Sequence, residues 1–183
     1  MKTIPAPGLA RKLRIYAAVI AALLLFATPA GAAEASINWL RPSGGPYPFI
    51  KPQARLWIKV SLGEQKVFIV EGKSVVYTMV ASTGLDSPAD DRTPRGVFYV
   101  QRERGLSFYS AKVGEGGRYW VSWLGHGTYL FHSVPIDRHG KIIEAEARKL
   151  GRKASHGCIR LTLADARWIY EHIPEGTKVV IGP

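Results

Sequence analysis

An internal disulfide is closed to this chain, because only one of its 183 residues is a cysteine, Cys158. A lone thiol is either a buried small hydrophobe or a group kept for reaction. Long apolar runs are also missing. The run Ile15–Ala27 has 13 residues, short of the roughly 20 that cross a bilayer as a helix. Acidic residues are few, 14 against 25 Lys and Arg, for a formal charge of +11. The positive residues are scattered and match no recognised nucleic-acid motif, so nucleic acid is not the expected partner. Cys and His show no short paired spacing with a carboxylate, so a zinc site built on His132, His156 and Cys158 is not expected. There is no internal repeat and no low-complexity tract.

The N-terminus reads as an address. Arg11, Lys12 and Arg14 precede the apolar run, Thr28-Pro29 breaks it, and Ala30-Gly31-Ala32-Ala33 supplies small residues for cleavage. Residues 1–33 are therefore expected to be a signal peptide, with export to a periplasm or cell-wall space. No cysteine lies near the cleavage region to take a lipid. Loss of the four cations of this leader takes the charge from +11 to +7, which suits an anionic surrounding. In an oxidising compartment cysteines normally come in pairs, so a single one behind an export signal favours chemistry.

Residues 34–53 are rich in Pro and Gly and read as a linker, either a tether or an N-terminal strap. From Arg55 the pattern has period two. Strands are expected over 56–62, 66–70 and 75–82, joined by turns at Gly63-Glu64-Gln65 and Glu71-Gly72-Lys73. Thr93-Pro94-Arg95-Gly96 has the chemistry of a tight turn before a strand at 97–102. The stretch Gly105–Gly117 reads as a flap, 119–124 and 129–131 as strands, and Lys141–Leu150 as helix. A helix over 163–172 has Thr162 as N-cap and Asp165 three residues later, a capping box. A strand at 178–181 closes residues 54–183, one mostly β domain with one or two helices.

The chemical centre is Ser155-His156-Gly157-Cys158-Ile159-Arg160. A thiol acyl-transfer site needs a thiolate beside an imidazole and fixed N–H donors for an oxyanion. Gly157 permits a backbone whose consecutive amides converge. His132, in Phe131-His132-Ser133 at a strand end, is the candidate base. Arg160 offers a cation for a substrate carboxylate.

Together these segments, with Ser82-Thr83-Gly84 and Thr93–Phe98, resemble the L,D-transpeptidase (YkuD) catalytic domain over roughly Arg55 to Ile181. The resemblance implies an antiparallel β-sandwich carrying a helix. It implies Cys158 as nucleophile and His132 as general base and proton donor. Ser133 would orient the His132 ring through its backbone carbonyl. The amides around His156, Gly157 and Cys158 would form the oxyanion hole with Ser155 in support. Arg160 would position substrate, and Trp120 and Trp123, close to His132 in sequence, stand as further substrate contacts. The implied substrate is a peptidoglycan stem tetrapeptide. Its terminal D-alanine leaves from a Cys thioester, and an amine takes the acyl group to give a 3→3 cross-link, wall-protein attachment or D-amino-acid exchange. No cofactor or metal is implied; a carbapenem adduct on Cys158 is expected, and the protein is expected to be a monomer. The rivals are hydrolysis of the same thioester, as carboxypeptidase or amidase, and a non-catalytic wall-binding module. Between His132 and Ser155 lie 22 residues, longer than the family's common spacing, an insertion that would alter the substrate rim.

Overall fold

A computed structural model describes residues 37–51 and 53–183; the expected leader and its cleavage region lie outside them. Among the described residues no helix is long and apolar enough to cross a membrane.

Nine strands make one hydrogen-bonded series: β1 Leu56–Ser61, β2 Lys66–Glu71, β3 Ser74–Ser82, β4 Gly96–Tyr99, β5 Arg104–Ser110, β6 Glu115–Leu124, β7 Tyr129–Ser133, β8 Ile159–Leu161 and β9 Lys178–Gly182. Their order is β4-β9-β1-β2-β3-β8-β7-β6-β5. The β1–β9 and β7–β8 pairs are parallel and the others antiparallel. The sheet curls until its ends meet, with the Phe98 ring of β4 edge-on to Trp123 of β6 at 5.0 Å. The interior so enclosed holds Ile58, Val60, Val67, Ile69, Met79, Val121, Phe131, Ile159 and Leu161. Alternation explains the first layer: Ile58 and Val60 face in while Lys59 between them is exposed. The chain reverses into β3 at Gly72, whose φ of 60° suits a glycine.

Two helices complete the domain: α1 Glu144–Ala147 and α2 Leu163–His172. The ten-residue helix expected at 141–150 contracts to the four residues of α1, followed by turns in which Lys149 and Leu150 bond back to Glu146 and Ala147. In α2 the Thr162 hydroxyl accepts from the Asp165 amide at 3.0 Å. The Asp165 carboxylate does not close the expected box. It takes the hydroxyls of Ser43 at 2.5 Å and Tyr47 at 3.0 Å.

Residues 37–51 are therefore a docked strap, not a free tether. Tyr47 stacks on Trp168 at 5.7 Å, Trp39 accepts the Leu163 amide at 2.8 Å, and Ser43 accepts the Val80 amide at 2.8 Å. Burial first, then the Asp165 charge, pushes the Tyr77 phenol up to about 12.

The expected flap at 105–117 is an ordered hairpin. Its strands β5 and β6 pair from Ser110↔Glu115 to Arg104↔Val121. The signal misled because Gly105, Gly116 and Gly117 serve close packing. A Cβ on Gly116 would stand 2.0 Å from the Phe108 carbonyl oxygen, and one on Gly105 2.6 Å from Trp120 Nε1.

Candidate active site

The register of β7 against β8 assembles the site. Phe131 pairs with Ile159, His132 with Arg160 and Ser133 with Leu161. Phe131, Ile159 and Leu161 point into the core, so His132 and Arg160 share the opposite face. That face is closed over by the β5–β6 hairpin. The Phe108 ring meets His132 edge-on at 5.3 Å. Gly117 lies so close that a Cβ there would stand 2.4 Å from His132 Nδ1.

His132 Nδ1 donates to the Ser133 carbonyl at 2.7 Å. This places the proton on Nδ1 and leaves Nε2 with the lone pair. The Ser133 hydroxyl works elsewhere, accepting from the Arg118 amide at 2.9 Å and donating to the Val134 carbonyl at 2.8 Å.

The loop carrying the thiol is pinned on three sides. Thr83 O accepts the amides of Ala154 and Ser155 at 2.9 and 3.1 Å, and the Leu85 amide donates to Ser155 O at 3.0 Å. Gln65 holds Thr83 through its amide nitrogen and oxygen at 2.8 and 2.9 Å. The fully buried Ser155 hydroxyl donates to the Cys158 carbonyl at 2.5 Å and accepts from the Gly157 amide at 3.2 Å. Thr93 Oγ1 accepts from the Gly84 amide at 2.8 Å and donates to the Gly157 carbonyl at 2.9 Å. Gly157 has φ +104°, and a Cβ there would sit 2.7 Å from the Tyr129 ring. No other residue fits both constraints.

Cys158 is half-buried. Its sulfur lies over the start of β7, 3.7 Å from the Thr128 carbonyl, and receives the Leu130 N–H. Leu130 and His132 are two apart on one strand and face the same side. Burial pushes the thiol up to about 11, opposed by the Leu130 N–H and the Arg160 charge. Burial, then Arg160, pushes His132 down to about 3, opposed by the Ser133 bond. Both shifts favour the neutral forms, because desolvation disfavours charge.

Arg160 does not present a cation to substrate. It is 3% exposed, and its two terminal nitrogens reach Glu115 at 2.5 Å and Glu146 at 3.0 Å. The sequence could not show this, since those carboxylates come from β6 and from α1 in the insertion. The longer spacing after His132 therefore supplies a partly buried counter-charge, Glu146, to the buried Arg160. Its loop is closed by Asp137, which accepts the amides of His139 and Lys141 at 2.8 and 2.9 Å.

Trp123 is 1% exposed, packed among Phe98, Tyr129 and Phe131. It belongs to the core and cannot touch substrate. Trp120 is half-buried and meets Phe108 edge-on at 6.4 Å, one ring removed from His132. His156 is exposed. Of the other histidines, His126 bonds Glu103 at 3.1 Å, His172 stacks on Trp168 at 5.0 Å, and His139 is exposed. Sequence reasoning missed Thr93, Phe108, Gly117, Glu115 and Glu146. Only Thr93 carried a signal, as the first residue of the Thr-Pro-Arg-Gly turn. Among the described residues no three His, Cys, Asp or Glu side chains converge to hold a metal ion.

Comparison with known proteins bears on the family and the fold. The profile of the YkuD L,D-transpeptidase catalytic domain matches residues 55–181. YciB of Bacillus subtilis (strain 168), which carries the L,D-transpeptidase name, is 58% identical over 149 residues, covering 81% of this chain and 76% of that protein. The fold resembles the L,D-transpeptidase LdtMt1 solved with imipenem, at TM-score 0.57 and 20% identity, over 70% of this chain and 59% of that one. It also resembles an L,D-transpeptidase from Mycobacterium tuberculosis H37Rv, at TM-score 0.56 and 22% identity, over 71% and 58%. The chain spans about three fifths of the length of these two solved structures.

Proposed function

The chain belongs to the YkuD L,D-transpeptidase catalytic-domain family, and from that premise we propose that it is an exported cysteine L,D-transpeptidase of peptidoglycan. Its substrate would be a stem tetrapeptide. The observation that supports this is a thiol over the start of β7, the strand that also carries an imidazole whose Nδ1 is locked by the Ser133 carbonyl. That lock leaves Nε2 as the basic nitrogen.

The proton moves during attack. Cys158 Sγ forms a bond to the carbonyl carbon that precedes D-alanine as the thiol proton passes to His132 Nε2. The Gly157 amide is engaged by Ser155, so the His156 and Cys158 amides are the donors for the oxyanion. On collapse the C–N bond breaks, and the imidazolium protonates the departing D-alanine amine. An acceptor amine then attacks the thioester and gives its proton to His132, and sulfur leaves with its electron pair to regain the thiol proton. The transient imidazolium faces Arg160, whose charge is offset by Glu115 and Glu146. By likeness to the imipenem complex, carbapenems would acylate the same sulfur.

The test is incubation of the mature domain with a tetrapeptide muropeptide, read by mass spectrometry beside Cys158→Ala. D-alanine release with a cross-linked dimer, lost in the variant, is the expected result. Tripeptide alone would make it a hydrolase. No release from folded wild type would reject the proposal.

A further inference from the structure

Beside the thiol-bearing loop lies a cleft that the chemistry above does not use. Its volume is about 550 Å³, its floor includes Thr83, Gly84 and Thr93, and its rim carries Asp86, Arg92, Arg95 and Lys153. The inner wall touches the catalytic loop. The Thr93 hydroxyl bonds the Gly157 carbonyl at 2.9 Å, and the Arg92 carbonyl lies 3.2 Å from where a Cβ on Gly157 would stand. Gly157 is next to Cys158.

The rim has three cations and one carboxylate. Asp86 is already taken, both its oxygens held by Lys153 Nζ at 2.7 and 2.8 Å. That bond holds the Asp86 carboxyl below its usual range against partial desolvation, and Arg92 and Arg95 both add to the effect, so all three cations bear on one small region. Arg92 commits Nε to the Asp86 carbonyl at 2.6 Å. Arg95 is exposed and enters no ion pair among the described residues. A planar guanidinium beside a net positive cleft matches a carboxylate in charge and in fork geometry. An extended peptide advances about 3.3–3.6 Å per residue. A chain attacked at Cys158, next to Gly157, therefore passes the cleft wall that Thr93 and Arg92 form against that loop.

We propose that this cleft is a subsite for a carboxylate of the peptide substrate other than its C-terminal one, with Arg95 as the contact and Arg92 and Lys153 setting the field. It rests on the reading of Cys158 as the nucleophile toward a stem peptide. The test compares two tetrapeptides, one with all carboxylates free and one amidated at every carboxyl except the C-terminal. Both kcat/KM in the wild-type background and Kd in Cys158→Ala protein are read.

The wild type prefers the acidic peptide, and Arg95→Ala lowers the acid-to-amide ratio about tenfold, the size of one charge-assisted hydrogen bond. Arg95→Lys falls between, and added salt narrows the ratio. A ratio unchanged by Arg95→Ala, or no preference in wild type, overturns the subsite while leaving the transpeptidase reading intact. Preference retained in Arg95→Ala but abolished by a phosphate polymer also overturns it, because the cleft would then select phosphate. Failure of folded protein to bind either peptide overturns both readings.

Discussion

Gly117→Ala tests whether the hairpin positions the catalytic ring. Gly117 does not adopt a left-handed φ, so the substitution adds bulk without backbone strain. The new Cβ would stand 2.4 Å from His132 Nδ1 and 2.8 Å from Cγ, where carbon contacts need about 3.5 Å. The ring must therefore move by about 1 Å. It cannot do so freely, since Nδ1 is held at 2.7 Å by Ser133 O and the ring is backed by Phe108 at 5.3 Å. Overpacking of this kind costs about 1–3 kcal/mol, and a 1 Å misplacement of a catalytic group costs about a hundredfold in rate. The expected outcome is a kcat lower by about two orders of magnitude, with a folded domain of slightly lower melting temperature. Gly182→Ala, where a Cβ meets nothing within 4 Å, serves as the control with unchanged turnover. Nitrogen NMR of the imidazole reports whether Nδ1 keeps its proton. Turnover within twofold of wild type in Gly117→Ala, with the Nδ1–H tautomer intact, would refute this account of the site.

Arg160→Met is expected to lower stability by about 1–3 kcal/mol in urea titration, because it removes the buried cation shared by the partly buried Glu115 and Glu146, of which only Glu146 keeps a second partner in Lys149; a fully stable variant with weakened substrate binding would return Arg160 to a substrate role. Thr93→Val keeps the shape but removes the hydroxyl between Gly84 and Gly157, and should cost about 1–3 kcal/mol with loss of turnover restored by Thr93→Ser. Stability should also depend on pH with a definite sign. His132 is depressed from 6.5 to about 3, so below pH 6.5 the unfolded chain binds the proton and stability falls by up to about 1.4 kcal/mol per pH unit until about pH 3. Cys158 is raised from 9.0 to about 11, so stability falls again as pH rises between those values. Urea midpoints across pH would show this plateau between about 6.5 and 9, and His132→Asn should flatten the acid side. A slope unchanged in that variant would assign it to another group.

Local chemistry made much of this protein legible before any coordinates. Period-two alternation located β1–β3, Thr162 announced α2, and the Ser155–Arg160 string with a single cysteine pointed to thiol chemistry. These are short-range signals, carried by neighbours in the chain. What tertiary structure decided were encounters between distant segments. Arg160 meets Glu115 and Glu146, 45 and 14 residues away, and so becomes a buried counter-ion where the motif implied a substrate contact. Trp123 is enclosed because the sheet curls until β4 meets β6, which no residue pattern near it reveals. The glycines of 105–117 read as mobility but serve contact with Trp120, Phe108 and His132. Burial, too, belongs to the folded state, and it shifts Cys158 and His132 toward their neutral forms.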